Sequence, residues 1–443
     1  MKMRKSLLQF AAISTLAAGV LAGCSGSSSG SSDSSSSNKN EVKVWVQFSD
    51  ETAEGKAWQE IVDGFNKEHE GEYKVVTEYI PRSGSGGGYE DKVNAAVTTN
   101  SLPDIITLDG PNTAAYAHSK VIIPLDEYLA DADMDDVLDS IKQQGTYDGK
   151  MYAFGYSESN VGIYYNKKMF EEAGIDLASL PTIEKPWTWS EFNAIAEKLK
   201  NYHKVEAIDF RLNSIDEMLP YAYMPLIWSN GGSVVNEDGT KAEGYFNSKE
   251  SVEAVEFIQN LVKKGYTTVS PVEKGFETGV YPMLLSGSWT INDMETNYTD
   301  IDYGILPYPV SDTTKKLVSP SGSWQLAVTT KSDKPEIAAE FVKYATNTQS
   351  SKIMSLGNSV LPIRKSTIED LKDEVSPEMA FLMEQNQKTA HARPVVVAYP
   401  QVSRAFQQAM QDISYYEDNP DVQKVLDARA KEMQAAIDES LAK

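Results

Sequence analysis

The 443-residue chain contains a single cysteine, Cys24, and four scattered histidines. One thiol cannot form an intrachain disulfide, so stability has to come from a hydrophobic core. The sequence also lacks the HExxH pair of zinc enzymes, the G-x-S-x-G turn of hydrolases and the P-loop lysine of nucleotide-binding proteins. These absences predict a protein with no metal site, no cofactor and no catalytic residues.

Basic residues are few relative to acidic ones. Lys and Arg total 41 against 64 Asp and Glu, which gives a formal net charge of −23. An acidic surface of this kind repels nucleic acid and anionic lipid headgroups. We therefore expect no nucleic-acid partner and no electrostatic docking on a membrane. Hydrophobic residues make up 41% of the chain, which is enough to build a large core.

Long apolar runs are also scarce, and the one near the start, residues 7–20, is short for the ~20 residues that a bilayer span needs. Basic residues precede this run, and Leu21-Ala22-Gly23-Cys24 ends it. The segment resembles the lipobox of bacterial lipoproteins, in which the cysteine becomes the mature N-terminus and carries diacylglycerol. We therefore expect a signal peptide at residues 1–23 and lipidation at Cys24. An ordinary secretory signal with an incidental cysteine is the alternative.

Residues 24–40 are almost entirely Ser and Gly after the cysteine. This composition cannot bury a core, so it predicts a flexible, solvated tether. The remaining residues, 41–443, are too many for one typical domain and suggest two.

The first part of this body alternates between strands and helices. Val42, Val44, Val46 and Phe48 share one face of a predicted strand, and Trp45 lies on the other. The next predicted elements are a helix with apolar residues at helical spacing from residue 58 and a strand at 73–80. A Gly-rich loop at 84–88, a helix from residue 89 and a short strand at 104–108 come after them. This order predicts a parallel sheet with right-handed crossovers.

In a parallel sheet, ligands bind beyond the carboxyl ends of the strands. Those ends are residues 47–50 and 109–113. Further along, Thr188 opens a helix with a capping box, Asn247 or Ser248 caps another, and Pro335 begins a third. Two more helices are predicted at residues 405–413 and after Pro420, which is placed near the first turn of the last one.

A series of short motifs then identifies a family resemblance. In chain order these are Leu102–Ile106 (LPDII), Ile123–Asp126 (IPLD), Tyr147–Ala153 (YDGKMYA), Ile163–Lys167 (IYYNK), Pro186–Phe192 (PWTWSEF), Asn230–Gly232 (NGG), Gly287–Trp289 (GSW) and Arg393–Pro394 (RP). The series resembles the family 1 extracellular solute-binding proteins of ABC importers, the group that includes maltose-binding protein. It covers essentially all of residues 41–443.

The resemblance implies an α/β fold of two lobes joined by three crossovers, with a ligand cleft between the lobes. Lobe one is expected at residues 41–155 and 325–361. Lobe two is expected at residues 156–324, which include crossovers, and at the C-terminal helical residues 362–443. The crossovers are expected near 156–160, 320–324 and 362–365.

The resemblance also implies which aromatic side chains meet a ligand. Sugars stack their C–H faces on aromatic rings. Trp289 follows small residues and matches an aromatic position of sugar-binding relatives, so it is the first candidate, with packing in the core of lobe two as the alternative. Trp45, Trp324 and Tyr221 follow, each with core packing as the alternative. Tyr223 is weighed with Tyr221, whereas Trp187, Trp189, Trp228 and Phe406 are assigned to the core.

Sugar hydroxyls need paired donors and acceptors. Gln47, Asp50 and Asp109, with Asn112 behind them, are the candidates at the strand ends. Glu158 is a candidate at the first crossover, with helix capping as the alternative, and Arg393 is one near the C-terminal helices, with a salt bridge to lobe two as the alternative.

The implied function is that of a lipid-anchored, monomeric substrate-binding protein on the extracellular face of the cell membrane. It would capture a carbohydrate, an oligosaccharide, and deliver it to the transmembrane permease subunits of an ABC importer without performing chemistry. One rival is a surface glycosidase, which needs two carboxylates about 5–10 Å apart. The other is the same fold with a non-sugar ligand such as a polyamine or an anion; an anion would need Arg, Lys or helix N-termini facing the cleft.

Overall fold

The computed structural model describes residues 40–82, 88–415 and 420–442. The predicted signal peptide, the lipidation site Cys24, nearly all of the tether and most of the Gly-rich loop lie outside the described residues. No described helix combines the length and the apolar character needed to cross a bilayer.

Two separate sheets and a small hairpin are found in the described residues. The strands are β1 Glu41–Val46, β2 Lys74–Tyr79, β3 Ile105–Asp109, β4 Thr146–Tyr147, β5 Lys150–Met151, β6 Phe154–Ser159, β7 Val161–Asn166, β8 Ile208–Asp209, β9 Met283–Gly287, β10 Tyr303–Leu306, β11 Ser319–Val328 and β12 Ala390–Ala392.

The helices pack around these sheets. They are α1 Ala53–Glu68, α2 Gly88–Thr99, α3 Thr113–His118, α4 Asp139–Gly145, α5 Lys167–Glu172, α6 Trp189–His203, α7 Met218–Ser229, α8 Lys249–Lys263, α9 Trp289–Asn297, α10 Pro335–Ala345, α11 Thr348–Asn358, α12 Lys365–Leu371, α13 Pro377–Thr389, α14 Tyr399–Tyr415 and α15 Val422–Leu441, with 3₁₀ turns at Gly110–Asn112 and Leu177–Ser179.

Sheet one has the strand order β12-β11-β3-β1-β2, and β6 also pairs with β11. The parallel pairing of β1 with β2 and β3 confirms the arrangement predicted from the first 110 residues. Val42, Val44 and Val46 lie in one core cluster, and Trp45 lies in another on the opposite face. Strand β11 runs antiparallel to β3 and β6, which the sequence pattern did not predict.

Sheet two has the order β10-β7-β9-β8. Strand β7 is antiparallel to both of its neighbours, and β9 is parallel to β8. A large core cluster covers this sheet with α6, α7, α8, α14 and α15, and it contains Trp187, Trp189, Trp228 and Phe406, as predicted. The capping box at Thr188 is also confirmed. Pro420 directly precedes the cap Asp421 and so lies near the first turn of α15, as predicted.

The chain passes between the two sheets where β6 ends and β7 begins, with Asn160 between them. The Asn160 side-chain amide donates to the Ser319 hydroxyl at 2.9 Å and to the Pro320 carbonyl at 2.7 Å, at the start of β11. Glu158 and Leu361 exchange two backbone hydrogen bonds. Three chain segments from distant parts of the sequence therefore meet at residues 158–160.

Candidate functional site

A cavity of about 370 Å³ opens beside this meeting point. We call it the central cavity. It is lined by residues from both sheets and from the helices that follow their strands: Gln47, Phe48, Glu54, Arg82, Asp109, Ser157, Glu158, Ser159, Asp216, Glu217, Met218, Tyr221, Trp289, Gly322, Ser323, Trp324, Asn358, Val360 and Arg393.

Trp289 presents an indole face to the central cavity. It is the first residue of α9 and is 40% exposed, which is high for a tryptophan. Its ring lies across the backbone of Gly287, where an added Cβ would be 2.2 Å from the ring. Gly287 is therefore required for this ring position, since any larger residue would displace the indole.

Tyr221, on α7, continues the aromatic surface. Its ring centroid is 6.3 Å from that of Trp289, with the planes tilted by 37°. A second glycine permits this position, because a Cβ at Gly322 would come within 2.5 Å of the Tyr221 ring. The Tyr221 hydroxyl is 2.7 Å from that of Ser159. Two rings from different elements thus form one apolar face beside polar groups.

Arg393 lies behind Tyr221 and joins three parts of the fold. Its guanidinium donates to Asp109 Oδ1 and to Glu217 Oε2, both at 2.7 Å, and lies 4.9 Å from the Tyr221 ring centroid. Tyr399 also donates to Glu217 at 2.7 Å. Burial alone would lower the pKa of Arg393, but the two carboxylates raise it well above its ordinary value. Arg393 is therefore a permanent buried cation.

Glu158 is also buried, and all of its hydrogen bonds are internal. One oxygen accepts from the hydroxyls of Ser140 and Ser321, both at 2.8 Å, and the other from the backbone N–H groups of Ser159 and Gly322, both at 2.9 Å. Burial raises the pKa of Glu158, and these four bonds counteract that rise. The side chain connects the crossing segments and is not available to a ligand.

A directed chain of hydrogen bonds runs from the interior of sheet one to Glu54. The Thr107 hydroxyl donates to Gln47 Oε1 at 2.7 Å, and Gln47 Nε2 donates to the Tyr156 hydroxyl at 2.8 Å. Tyr156 then donates to Glu54 Oε1 at 3.2 Å. Because the Tyr156 hydroxyl has one proton and already accepts from Gln47, that proton is the one donated to Glu54. Gln47, although it lines the cavity, is engaged in this chain.

Burial raises the pKa of Glu54 from 4.5 to about 7, and the Tyr156 hydrogen bond lowers it only in part. The unfolded chain ionises at lower pH, so ionisation of Glu54 opposes folding increasingly as pH rises from 4.5 to 7. We expect Glu54→Gln to change the free energy of unfolding little at pH 4.5 and to raise it by about 2–3 kcal/mol at pH 8. Urea unfolding at both pH values measures this. Glu60→Gln, on the exposed side of α1, is the control, and an equal effect of Glu54→Gln at both pH values would contradict the argument.

Trp324 and Arg82 form another part of the lining. The Arg82 guanidinium lies 5.2 Å from the Trp324 ring centroid, and its Nε is 2.8 Å from Glu90 Oε1. Trp324 pairs with Asp109 in the register between β11 and β3, which places both at the same end of sheet one. The tryptophan is half-buried and one of its faces is covered by the arginine.

Seven of the ten side chains proposed from the sequence as ligand contacts line the central cavity: Trp289, Trp324, Tyr221, Gln47, Asp109, Glu158 and Arg393. Trp45, Asp50 and Asn112 are not among the lining residues.

Trp45 is buried in the core cluster beneath α2, with the Lys92 ammonium 4.6 Å from its ring centroid. Asp50 lies exposed on the loop before α1, and Asn112 is half-buried in a 3₁₀ turn. Tyr223 is buried in the core and donates to the Phe210 carbonyl.

The sequence interpretation missed Glu54, Arg82, Asp216, Glu217, Met218 and Asn358. Glu54 had a detectable signal, because the first turn of the helix after β1 faces the same sheet edge as Gln47. Glu217 had none, since its role depends on Arg393, which follows it by a long stretch of chain. No group of three or more His, Cys, Asp or Glu side chains within the described ranges is placed to hold a metal ion.

Comparison with known proteins agrees with this architecture. A sequence profile of the family described as bacterial extracellular solute-binding protein matches residues 60–381. The chain belongs to this family. Among relatives of this solute-binding protein, the diacetylchitobiose-binding protein DasA of Streptomyces coelicolor is 25% identical over 307 residues, which are 66% of this chain and 68% of DasA.

Another relative is the sn-glycerol-3-phosphate-binding periplasmic protein UgpB of Brucella abortus. It is 25% identical over 329 residues, 71% of this solute-binding protein and 72% of UgpB. Among solved structures, the cyclic α-maltosyl-1,6-maltose-binding protein of Arthrobacter globiformis superposes with a TM-score of 0.76 at 25% identity, over 90% of this chain and 99% of that one. The two-lobe α/β fold expected from the sequence is confirmed.

Proposed function

We propose that this solute-binding protein captures a carbohydrate, an oligosaccharide, in the central cavity and delivers it to the membrane subunits of an ABC importer. The observation that carries the proposal is the exposed indole of Trp289 beside the Tyr221 ring, within reach of carboxylates. An open aromatic face next to hydrogen-bonding groups suits the C–H faces and hydroxyls of a sugar. Relatives whose names specify diacetylchitobiose and cyclic maltosyl-maltose support this class of ligand.

The protein performs no chemistry in this proposal. A glycosidase needs one carboxylic acid and one carboxylate free to reach the bond that is cleaved. Three of the five carboxyl groups that line the central cavity are fully engaged, since Asp109 and Glu217 both hold Arg393 and Glu158 uses both oxygens internally. The other two, Glu54 and Asp216, each already accept one hydrogen bond. ATP hydrolysis belongs to separate subunits of the importer.

A thermal-shift screen of residues 41–443 tests the proposal. The panel includes neutral oligosaccharides, amino acids, polyamines and anions. A solute that binds only the folded protein raises the melting temperature by mass action. Stabilisation by oligosaccharides alone is the expected result. Stabilisation by an amino acid or a polyamine and by no sugar would overturn it.

Hinge closure is the expected response to the ligand. Lobe one would comprise residues 41–155 and 325–361, and lobe two residues 156–324 and 362–443. The three segments that meet at Glu158–Asn160 support a hinge there. We expect a saturating sugar from the screen to lower the radius of gyration in solution scattering. An unchanged profile at saturation would contradict closure by the two lobes.

The lipid anchor is a separate proposal, based on Leu21-Ala22-Gly23-Cys24. We expect Cys24→Ser to release the protein into the medium or to leave its signal uncleaved, because no other cysteine can accept the lipid. Cell fractionation and the mass of the N-terminal peptide measure this, with Ser25→Ala as the control. A Cys24→Ser protein that is correctly processed and still membrane-bound would contradict the lipobox interpretation.

A further inference from the structure

The relatives differ in the charge of the solutes in their names. Diacetylchitobiose and cyclic maltosyl-maltose are neutral, whereas sn-glycerol 3-phosphate is an anion. Whether the central cavity accepts a neutral or an anionic solute therefore depends on the charged groups that line it.

The cations of the central cavity are already neutralised. Arg393 is held by two carboxylates, Asp109 and Glu217, so that group of three carries a net negative charge. Arg82 pairs with Glu90. Neither guanidinium is left to balance a phosphate, which proteins hold with several converging donors and free positive charge. The ion pairs of the lining thus disfavour an anionic solute.

Glu54 also disfavours an anionic solute, because of its position on α1. It lies in the first turn of this 16-residue helix, next to the N-terminus that Thr52 caps. A helix N-terminus is where a phosphate would otherwise find free backbone N–H groups and a favourable dipole. Glu54 places a carboxylate there instead, and within the described residues no Lys or Arg side chain forms an ion pair with it.

Glu54 also has capacity for a ligand. The directed chain through Gln47 and Tyr156 occupies Oε1 and fixes the side chain. No hydrogen bond of Oε2 is found in the described part of the chain, and the residue lines the central cavity. A fixed carboxyl oxygen with unused capacity can accept a hydrogen bond from a sugar hydroxyl at little cost in side-chain entropy.

We infer that Glu54 is a specificity-determining residue, which hydrogen-bonds a hydroxyl of an uncharged sugar and excludes phosphorylated solutes from the central cavity. The inference rests on the proposed function, since it assigns the charge class of the same ligand. The exclusion has two sources: repulsion by the Glu54 carboxylate, and the absence of an unpaired cation among the described lining residues.

Calorimetric titration of residues 41–443 at pH 8 tests it, because Glu54, whose pKa burial raises to about 7, is ionised at that pH. The neutral probes are maltotriose, cellobiose, xylobiose, raffinose and N,N′-diacetylchitobiose, and the anionic probes are sn-glycerol 3-phosphate and maltose 1-phosphate. We expect at least one neutral probe to bind, and both phosphates to bind at least a hundredfold more weakly. A phosphate that binds as tightly as the best sugar would overturn the inference and leave the importer function intact. Binding of no sugar at all would overturn the carbohydrate function, and this inference with it.

Variants then assign the selectivity to Glu54. Glu54→Gln keeps an acceptor for Tyr156 and removes the charge. We expect it to weaken binding of the best neutral sugar about tenfold, as expected for a hydrogen bond to a charged group. It should also strengthen binding of the phosphates, so that the selectivity ratio of sugar over phosphate falls by more than about tenfold. Glu60→Gln, which removes the same charge from the exposed side of α1, should change neither value. If Glu54→Gln binds both probes within twofold of the wild type, Glu54 does not determine specificity.

Discussion

Replacement of Arg393 by Met is expected to lower the free energy of unfolding by about 3 kcal/mol or more, because it leaves two carboxylates without their buried cation. Met keeps most of the apolar volume, so the loss reports the missing cation. Asp109 and Glu217 would each lose a 2.7 Å hydrogen bond to a guanidinium that is almost fully buried. Their partly buried carboxylates would then repel one another without compensation.

Urea unfolding of the unliganded protein measures this effect. Arg404→Met removes an exposed arginine from α14 and is the control. Adding Asp109→Asn to Arg393→Met should recover part of the lost stability, because one of the uncompensated charges is then absent. If Arg393→Met alone were as stable as the wild type, the three charged groups would not form a stabilising unit. If Asp109→Asn lowered stability further in that background, repulsion between carboxylates would not be the cause.

Replacement of Trp289 by Ala is expected to weaken sugar binding by about 2 kcal/mol or more, roughly a thirtyfold loss of affinity. The unliganded protein should lose little stability, because the indole is 40% exposed and already partly solvated. Calorimetry with the best neutral sugar and urea unfolding, both on the same variant, separate binding from folding. Trp289→Phe keeps a ring above Gly287 and should retain more of the affinity than Ala.

A core tryptophan is the matched control, and its replacement should lower stability where replacement of Trp289 lowers sugar affinity. Trp228 belongs to the core around sheet two and is 8% exposed. Trp228→Ala should lower the free energy of unfolding by about 3–5 kcal/mol, as for other buried aromatics. A large loss of stability in Trp289→Ala with unchanged sugar affinity would remove Trp289 from the site. Tyr221 and Trp324 would then be the aromatics to test.

The parallel part of sheet one could be predicted because its signals are local. Alternation in residues 42–48 and helical spacing from Trp58 reflect which faces are buried, and burial acts on short stretches of chain. The antiparallel pairing of β11 with β3 and β6 has no such signal. It joins segments that are far apart in sequence, so neither segment's pattern specifies its partner.

Residues of the site could likewise be predicted where their signals are local and not where they depend on distant partners. Trp289 could be proposed from the small residues before it and from family resemblance, and Asp109 from its place at a strand end. Trp45 shows the limit of the strand-end rule: it lies on a cavity-forming strand, but the face it occupies is covered by α2. Glu217 was missed because only the folded chain brings it to Arg393.

Strand β11 has a consequence for the order in which the protein can be made. It pairs with both β3 and β6, which are synthesised long before it, and it lies between them and β12. Sheet one cannot join β3 and β6 until Val328 has left the ribosome, although four of its strands precede β11 in the chain, and β12 is added later still. Pairings between such distant segments form slowly. Strands β3 and β6 therefore remain without their β11 partner until residues 319–328 have been made, a delay that agrees with the proposed export of the chain ahead of folding.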